Sequence, residues 1–172
     1  IAMSVVRHVK VGIEQRDAYL QAVGAARRLN GGDYTDRAED KERDEELAAR
    51  LKQLEFQEMA ANEEFILTIS QDGMGKRSSA YEYRIAGRGG KGITGIELGR
   101  GKKVSPSTIV AAFMVMDGDQ IIMVSNGGQI IRCPINQISI VGRGARGVTV
   151  FKVAKEERLV SVSRLRDESG ED

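Results

Sequence analysis

An internal repeat without gaps constrains this chain more than any other feature: residues 65–98 return as residues 120–153. With Gly73 set on Gly128, Ile66 falls on Ile121, Ser70 on Ser125, Arg77 on Arg132 and Ile85 on Ile140. Gly87-Arg88-Gly89 falls on Gly142-Arg143-Gly144, Gly92 on Gly147 and Thr94 on Thr149, while Lys91 against Arg146 keeps the charge. Units of this length bury their apolar faces by stacking on one another, as in propellers, solenoids and arrays. Each unit carries the cluster Arg-Gly-x-[Lys/Arg]-Gly, so stacking would present a basic loop at regular intervals.

The units read as β structure. Phe65-Ile66-Leu67-Thr68-Ile69 and Gln120-Ile121-Ile122-Met123-Val124 are apolar and β-branched, and run into Asp72-Gly73 and Gly127-Gly128, which suit tight hairpin turns. Return strands are expected near 75–80 and 130–133, the second closed by Pro134, and further strands near 93–98 and 148–153. About four short strands per unit and no helix describe a propeller-type blade. Ile1 to Arg7, Ile109 to Val115 and Val160 to Arg166 resemble one another and read as three copies of a closing strand. The expected fold is all-β, with blades at 65–115 and 116–166 and the closing strand of a preceding blade at 1–11. A chain opening inside a strand is expected to be a piece of a longer protein.

Residues 12–64 interrupt this pattern. Leu20, Val23, Ala26 and Leu29 suggest a helix over 13–29, N-capped by Asp17 and ended by Gly31-Gly32. A longer helix over 36–62 would carry Leu47, Leu51, Leu54 and Met59 as a narrow stripe, with the charged turns from Asp36 to Glu46 solvated. The expectation is a helical hairpin inserted between β units, with a partly disordered loop as the alternative. Its role reads as a solvated decoration ahead of a docking surface.

A net charge of +1 hides a segregation. Residues 65–166 hold 16 Lys/Arg against 7 Asp/Glu, whereas residues 33–64 hold 5 against 12, and the tail Asp167 to Asp172 adds four acids. Basic repeats beside an acidic insertion and tail point to an anionic partner for the repeats. The longest apolar run, Ile109 to Val115, is strand-sized, so no membrane-spanning segment and no membrane partner are expected. The single Cys133 excludes an internal disulfide framework and suits a reducing cytoplasm.

Gly87-Arg88-Gly89-Gly90-Lys91-Gly92 and Gly142-Arg143-Gly144-Ala145-Arg146-Gly147 both match G-x-G-x-x-G. A dinucleotide site needs a helix after the glycines, to bring its N-terminus to the pyrophosphate. Strand-like Ile93-Thr94-Gly95-Ile96 and Val148-Thr149-Val150-Phe151 follow instead. A phosphate-binding P-loop fails as well, for want of a Lys-Ser or Lys-Thr pair before a helix. Contact with a DNA backbone fits better: glycines let the main chain approach phosphates, and Arg and Lys supply charge. Candidate contacts are Arg88, Lys91, Arg143 and Arg146, with Lys76, Arg77, Arg84 and Arg132 nearby and Lys102 and Lys103 in the next connection. The loop glycines are Gly87, Gly89, Gly90, Gly92, Gly142, Gly144 and Gly147. The plainer alternative is that the glycines only make bends and the cations are ordinary surface.

Gly75-Lys76-Arg77, Glu82-Tyr83-Arg84 and Gly87 to Gly92, then Asp119 to Met123, Gly142-Arg143 and Gly147-Val148, together resemble the C-terminal domain of the DNA gyrase A subunit. The resemblance covers residues 1–11 and about 65–166. It implies a β-pinwheel, a propeller relative whose blades exchange a strand with their neighbours. It also implies sequence-neutral binding and wrapping of double-stranded DNA around a basic rim in support of negative supercoiling. Other implied partners are the remainder of the gyrase A subunit, together with the gyrase B subunit, in the bacterial cytoplasm at the nucleoid. No cofactor is expected in this segment; the parent type II topoisomerase would use ATP and Mg through other domains. The family's wrapping motif, Gln-Arg-Arg-Gly-Gly-[Lys/Arg]-Gly, is matched by residues 86–92 at five of seven positions, with Ala86 and Gly87 replacing the first two. The insertion at 12–64 is absent from the family pattern.

The remaining residues show no catalytic constellation. His8 lacks Cys or carboxylate neighbours at metal-ligand spacing, and Asp117-Gly118-Asp119 reads as an acidic turn, so no metal site is expected. Tyr81 and Tyr83 lie inside the repeat and read as packing residues, and Cys133 as core. The tail 167–172 could fold onto the basic rim or stay solvated. Two other readings stand beside the first: the C-terminal domain of the topoisomerase IV A subunit, and a propeller-type protein-interaction module.

Overall fold

In the computed structural model of the chain, residues 3–7, 10–31, 38–98 and 107–166 are described. His8, Lys102, Lys103 and the tail 167–172 lie outside the described residues. Two compact units emerge: Ile1–Val6 with Glu64–Asp172, and Arg7–Glu63.

The first unit is built on the two copies of the repeat. β1 (Phe65–Ser70) turns through Asp72 and Gly73, whose φ is 76°, into β2 (Met74–Ser79). The two pair antiparallel from Phe65↔Ser79 to Ile69↔Gly75. On the other side of β1 runs β3 (Ile109–Val115), also antiparallel. The second copy repeats the plan: β4 (Gln120–Ser125) lies between β5 (Ile130–Pro134) and β7 (Leu159–Leu165), with Gly128 at φ 84° in the hairpin. Even the irregularity recurs, since register shifts at Ile69/Ser70 against β3 and at Val124/Ser125 against β7.

β6 (Val148–Thr149) belongs in sequence to the second copy, yet it pairs with β2 of the first, Met74↔Thr149 and Gly75↔Val148. The first sheet therefore reads β3-β1-β2-β6 and the second β5-β4-β7. The four strands read within each copy are thus shared between copies, as the implied β-pinwheel exchange requires. Residues 93–98, which include the counterpart of β6, form no strand here, although strands were expected in both copies. Of the closing strand expected at 1–11, residues 3–7 take no strand conformation.

Both sheets pack on one core of Leu67, Ile69, Ala111, Val115, Ile121, Met123, Ile135, Ile138, Phe151 and Leu159. Alternation places these residues on one face of each strand, as in β4, where Ile121 and Met123 are buried and Ile122 and Val124 only partly so. Cys133 lies at the margin of this core, half-buried, and burial pushes its thiol pKa up.

The second unit is helical: α1 (Ile13–Gly31), α2 (Ala38–Ala49), a 3₁₀ turn at Arg50–Lys52, and α3 (Leu54–Ala61). The single helix expected over 36–62 is broken at Gln53, which is extended at φ −66°, ψ 138°. That break resets the helical phase, so the apolar face is not the expected leucine stripe. Leu54 is 79% exposed, while Phe56 and Met59 are buried with Tyr19, Ala22, Val23 and Ala25 of α1. The Tyr19 and Phe56 rings meet edge to face at 5.7 Å, and the Tyr19 hydroxyl donates to Glu63 at 3.0 Å. Asp17 is no N-cap but lies within α1, paired with Arg16 at 2.9 Å. Within the charged stretch expected to be solvated, Asp44 is buried and accepts both Nε and Nη2 of Arg28 at 2.7 Å.

Candidate nucleic-acid interface

The Gly142–Gly147 loop joins the end of the second blade's hairpin to β6 and is held against the first blade. Gly147, at φ 89°, lies so close to β2 that a Cβ would fall 2.4 Å from the Gly75 oxygen. Only glycine fits there. From β2, the Lys76 ammonium donates to the carbonyl oxygens of Gly142, at 2.9 Å, and Arg143. After β2, Glu82 accepts the Arg143 amide at 2.5 Å through Oε2, and its own carbonyl accepts Arg143 Nε at 3.2 Å. Arg143 Nη1 donates to the Thr94 carbonyl, and Glu97 N donates to Ala145 O at 3.5 Å. Thr94 and Glu97 follow directly on the first loop. These bonds therefore bring the chain leaving the Gly87–Gly92 loop beside the Gly142–Gly147 loop.

The first loop itself is open. Arg84, Arg88 and Lys91 are exposed, and a Cβ at Gly87, Gly89 or Gly92 would meet nothing within 4 Å. Gly89 and Gly92 take φ of 76° and 73°, and Gly90 N donates to Gly87 O at 3.4 Å. In the second loop Arg146 is exposed and pairs with Asp72 at 3.4 Å, while Arg143 is half-buried. Burial alone would raise the Asp72 pKa, but hydrogen bonds from Ser70, Ser107 and Arg146 outweigh it and hold the carboxyl below its ordinary range.

Two expected surface contacts are corrected. Lys76 is 0% exposed and Arg77 6% exposed, so both are covered by the chain instead of lying on its surface. Arg77 donates through Nε to Ile138 O at 2.7 Å and through Nη1 to Asp117, and stands 5.8 Å from the Phe65 ring centre. Its main chain also pairs with residues 139–141, since Arg77 N donates to Ser139 O and Val141 N to Arg77 O, both at 2.9 Å. The segment after β5 thus buries Arg77. Arg132, at the same repeat position, is exposed and donates to Gln120 at 2.5 Å.

Sequence reasoning missed Glu82, Asp72 and Thr94, which shape the loops without belonging to them. Glu82 stood among the residues carrying the family resemblance but had no role there. Its counterpart, Gln137, was the available signal: the position is not fixed by the blade itself. Tyr83 donates or accepts at Ser78 Oγ, 3.0 Å away, and is half-buried with Tyr81.

Similarity to known proteins follows the same residues. A family model described as DNA gyrase C-terminal domain, beta-propeller, matches residues 64–106 and 119–166. The DNA gyrase A subunit of Granulibacter bethesdensis is 39% identical over 182 residues, covering 100% of this chain and 19% of that protein. Its equivalent in Rickettsia bellii is 37% identical over 172 residues, covering 98% and 18%. The chain thus spans about a fifth of the length of these curated relatives. A solved DNA gyrase A C-terminal domain superposes with a TM-score of 0.52 at 30% identity, over 59% of this chain and 33% of that one. The C-terminal domain of DNA topoisomerase IV has a TM-score of 0.54 at 24% identity, over 61% and 31%, a likeness of fold alone. With strand exchange between its blades and the family pattern over most of the repeats, the chain belongs to the DNA gyrase C-terminal domain, β-propeller family.

Proposed function

We propose that this chain binds double-stranded DNA through its phosphate backbone, without reading sequence, and helps wrap it as part of the DNA gyrase A subunit. The observation that carries the reading is the chain leaving the first glycine-rich loop bonded to the second, with Arg88 and Lys91 of the first loop, Arg146 of the second and the preceding Arg84 all exposed. Cations on closely spaced loops neutralise successive phosphates and release counterions, which gives affinity independent of base sequence. Arg132 adds an exposed cation on β5. Arg143 acts partly as a brace, because two of its nitrogens already bind carbonyls. Lys102 and Lys103 remain candidates outside the described residues. The partners in this reading are DNA and the rest of gyrase, its A and B polypeptides, in the bacterial cytoplasm at the nucleoid. Supercoiling chemistry, with its ATP and Mg, belongs to other domains of that enzyme.

Fluorescence anisotropy of a mixed-sequence duplex, titrated at several salt concentrations, tests this. The expected result is binding that weakens steeply with salt, with a slope of about four or more phosphates. Alanine at Arg88, Lys91, Arg143 and Arg146 together should lower that slope. Folded protein without salt-dependent binding would replace this reading with a protein-interaction role.

A further inference from the structure

Lys76 and Glu82 are charged residues placed behind the second loop. Lys76 is fully buried, yet its ammonium points at two carbonyl oxygens of that loop, those of Gly142 and Arg143. Glu82 accepts the Arg143 amide of the same loop at 2.5 Å. The blade does not require either side chain. The second copy of the repeat builds the same strand and turn with Ile131 and Gln137 at these positions. What sets the first copy apart is the loop lying over it.

We propose that Lys76 and Glu82 are positioning residues that fix the Gly142–Gly147 loop in its DNA-binding shape, Lys76 by holding two loop carbonyls and Glu82 by holding the Arg143 amide. Carbonyl oxygens presented to a phosphate would repel it, and the buried ammonium keeps two of them occupied. The inference rests on the reading of these loops as DNA contacts. Charged groups facing Lys76 are Glu82, from the turn after β2, and Arg143, from the loop. Burial lowers the Lys76 pKa to about 8, with Glu82 opposing that shift and Arg143 adding to it. The ammonium therefore loses its charge within an accessible pH range, and with it part of its hold on the loop.

The test is anisotropy of the same duplex with the full chain between pH 7 and 9 at fixed ionic strength. Wild-type affinity should fall as pH passes about 8. Lys76→Met should bind about fivefold or more weakly at pH 7, with a flat pH profile and an unchanged salt slope, since Lys76 touches no phosphate. Glu82→Gln keeps an acceptor for the Arg143 amide but removes the charge that favours the ammonium, so the inflection should move to lower pH. A wild-type profile without an inflection, one that Glu82→Gln leaves in place, or Lys76→Met binding like wild type would each overturn the proposal. If Lys76→Met does not fold, the wild-type and Glu82→Gln profiles decide. Failure of the DNA reading itself looks different: Arg88→Ala and Arg146→Ala would then leave both affinity and salt slope unchanged.

Discussion

Gly73 and Phe151 meet main chain to main chain: the Gly73 carbonyl accepts the amides of Val150 and Phe151 at 2.9 and 3.1 Å, and a Cβ on Gly73 would fall 1.9 Å from the Phe151 oxygen. Gly128, its counterpart, has nearly the same φ but open space around it. The pair separates two costs that sequence alone merges. Gly128→Ala should cost about 1–2 kcal/mol, the penalty of a left-handed alanine. Gly73→Ala adds a clash with fixed backbone and should cost about 4 kcal/mol or more. Urea unfolding monitored by exchange of the β1 and β4 amides reads both; equal losses would refute the contact.

Arg77 and Arg132 provide the same kind of contrast in charge. Arg77→Ala strips a buried carbonyl at Ile138 of its donor and removes packing against Phe65, so it should destabilise the blades by about 2–3 kcal/mol. Arg132→Ala should change stability by less than about 0.5 kcal/mol. Its effect should appear instead as a loss of about one from the salt slope of DNA binding. Thermal melts and salt titrations of the two variants should give opposite pictures.

The sequence was most legible where one copy of the repeat could be checked against the other. β1 and β4 follow from apolar, β-branched runs, β2 and β5 from the turn glycines that precede them, and the closing strands β3 and β7 from their resemblance to each other. The exchange of β6 was legible only through the family resemblance, because Val148-Thr149 carries no mark of which hairpin it will join. Burial of Lys76 and Arg77 was hidden for a related reason. Their position in the repeat is that of the exposed Ile131 and Arg132, and only the segment folded back from the next copy covers them. In the helical unit, composition announced helices, but the extended Gln53 shifted the phase from Leu54 to Phe56.

That phase shift makes a direct prediction. Phe56→Ala removes a buried ring set edge-on to Tyr19 and should cost the helical unit about 3–5 kcal/mol. Leu54→Ala, at the first position of α3, should be within about 0.5 kcal/mol of neutral. Hydrogen exchange of the α1 and α3 amides would report the helical unit by itself. A large effect at Leu54 with a small one at Phe56 would restore the single leucine stripe.

Lys76 makes the stability of the blades depend on pH in a direction opposite to its effect on DNA binding. Its pKa falls from the ordinary 10.5 to about 8 in the folded chain, burial being the largest cause. Below about 8 the side chain is charged in both folded and unfolded states, and the cost of burying the ammonium is present in full. Between about 8 and 10.5 the folded state has released a proton that the unfolded state keeps, so this group makes stability rise with pH. Cys133 opposes that trend, because its raised pKa makes the folded state hold its proton longer. Cys133→Ala is therefore the background in which to look. There, urea midpoints should climb from pH 8 to 10, and adding Lys76→Met should remove the climb while the same range weakens DNA binding in the wild type. Midpoints that do not rise in the Cys133→Ala background, or that rise equally with Met at position 76, would mean that the Lys76 ammonium carries no burial cost.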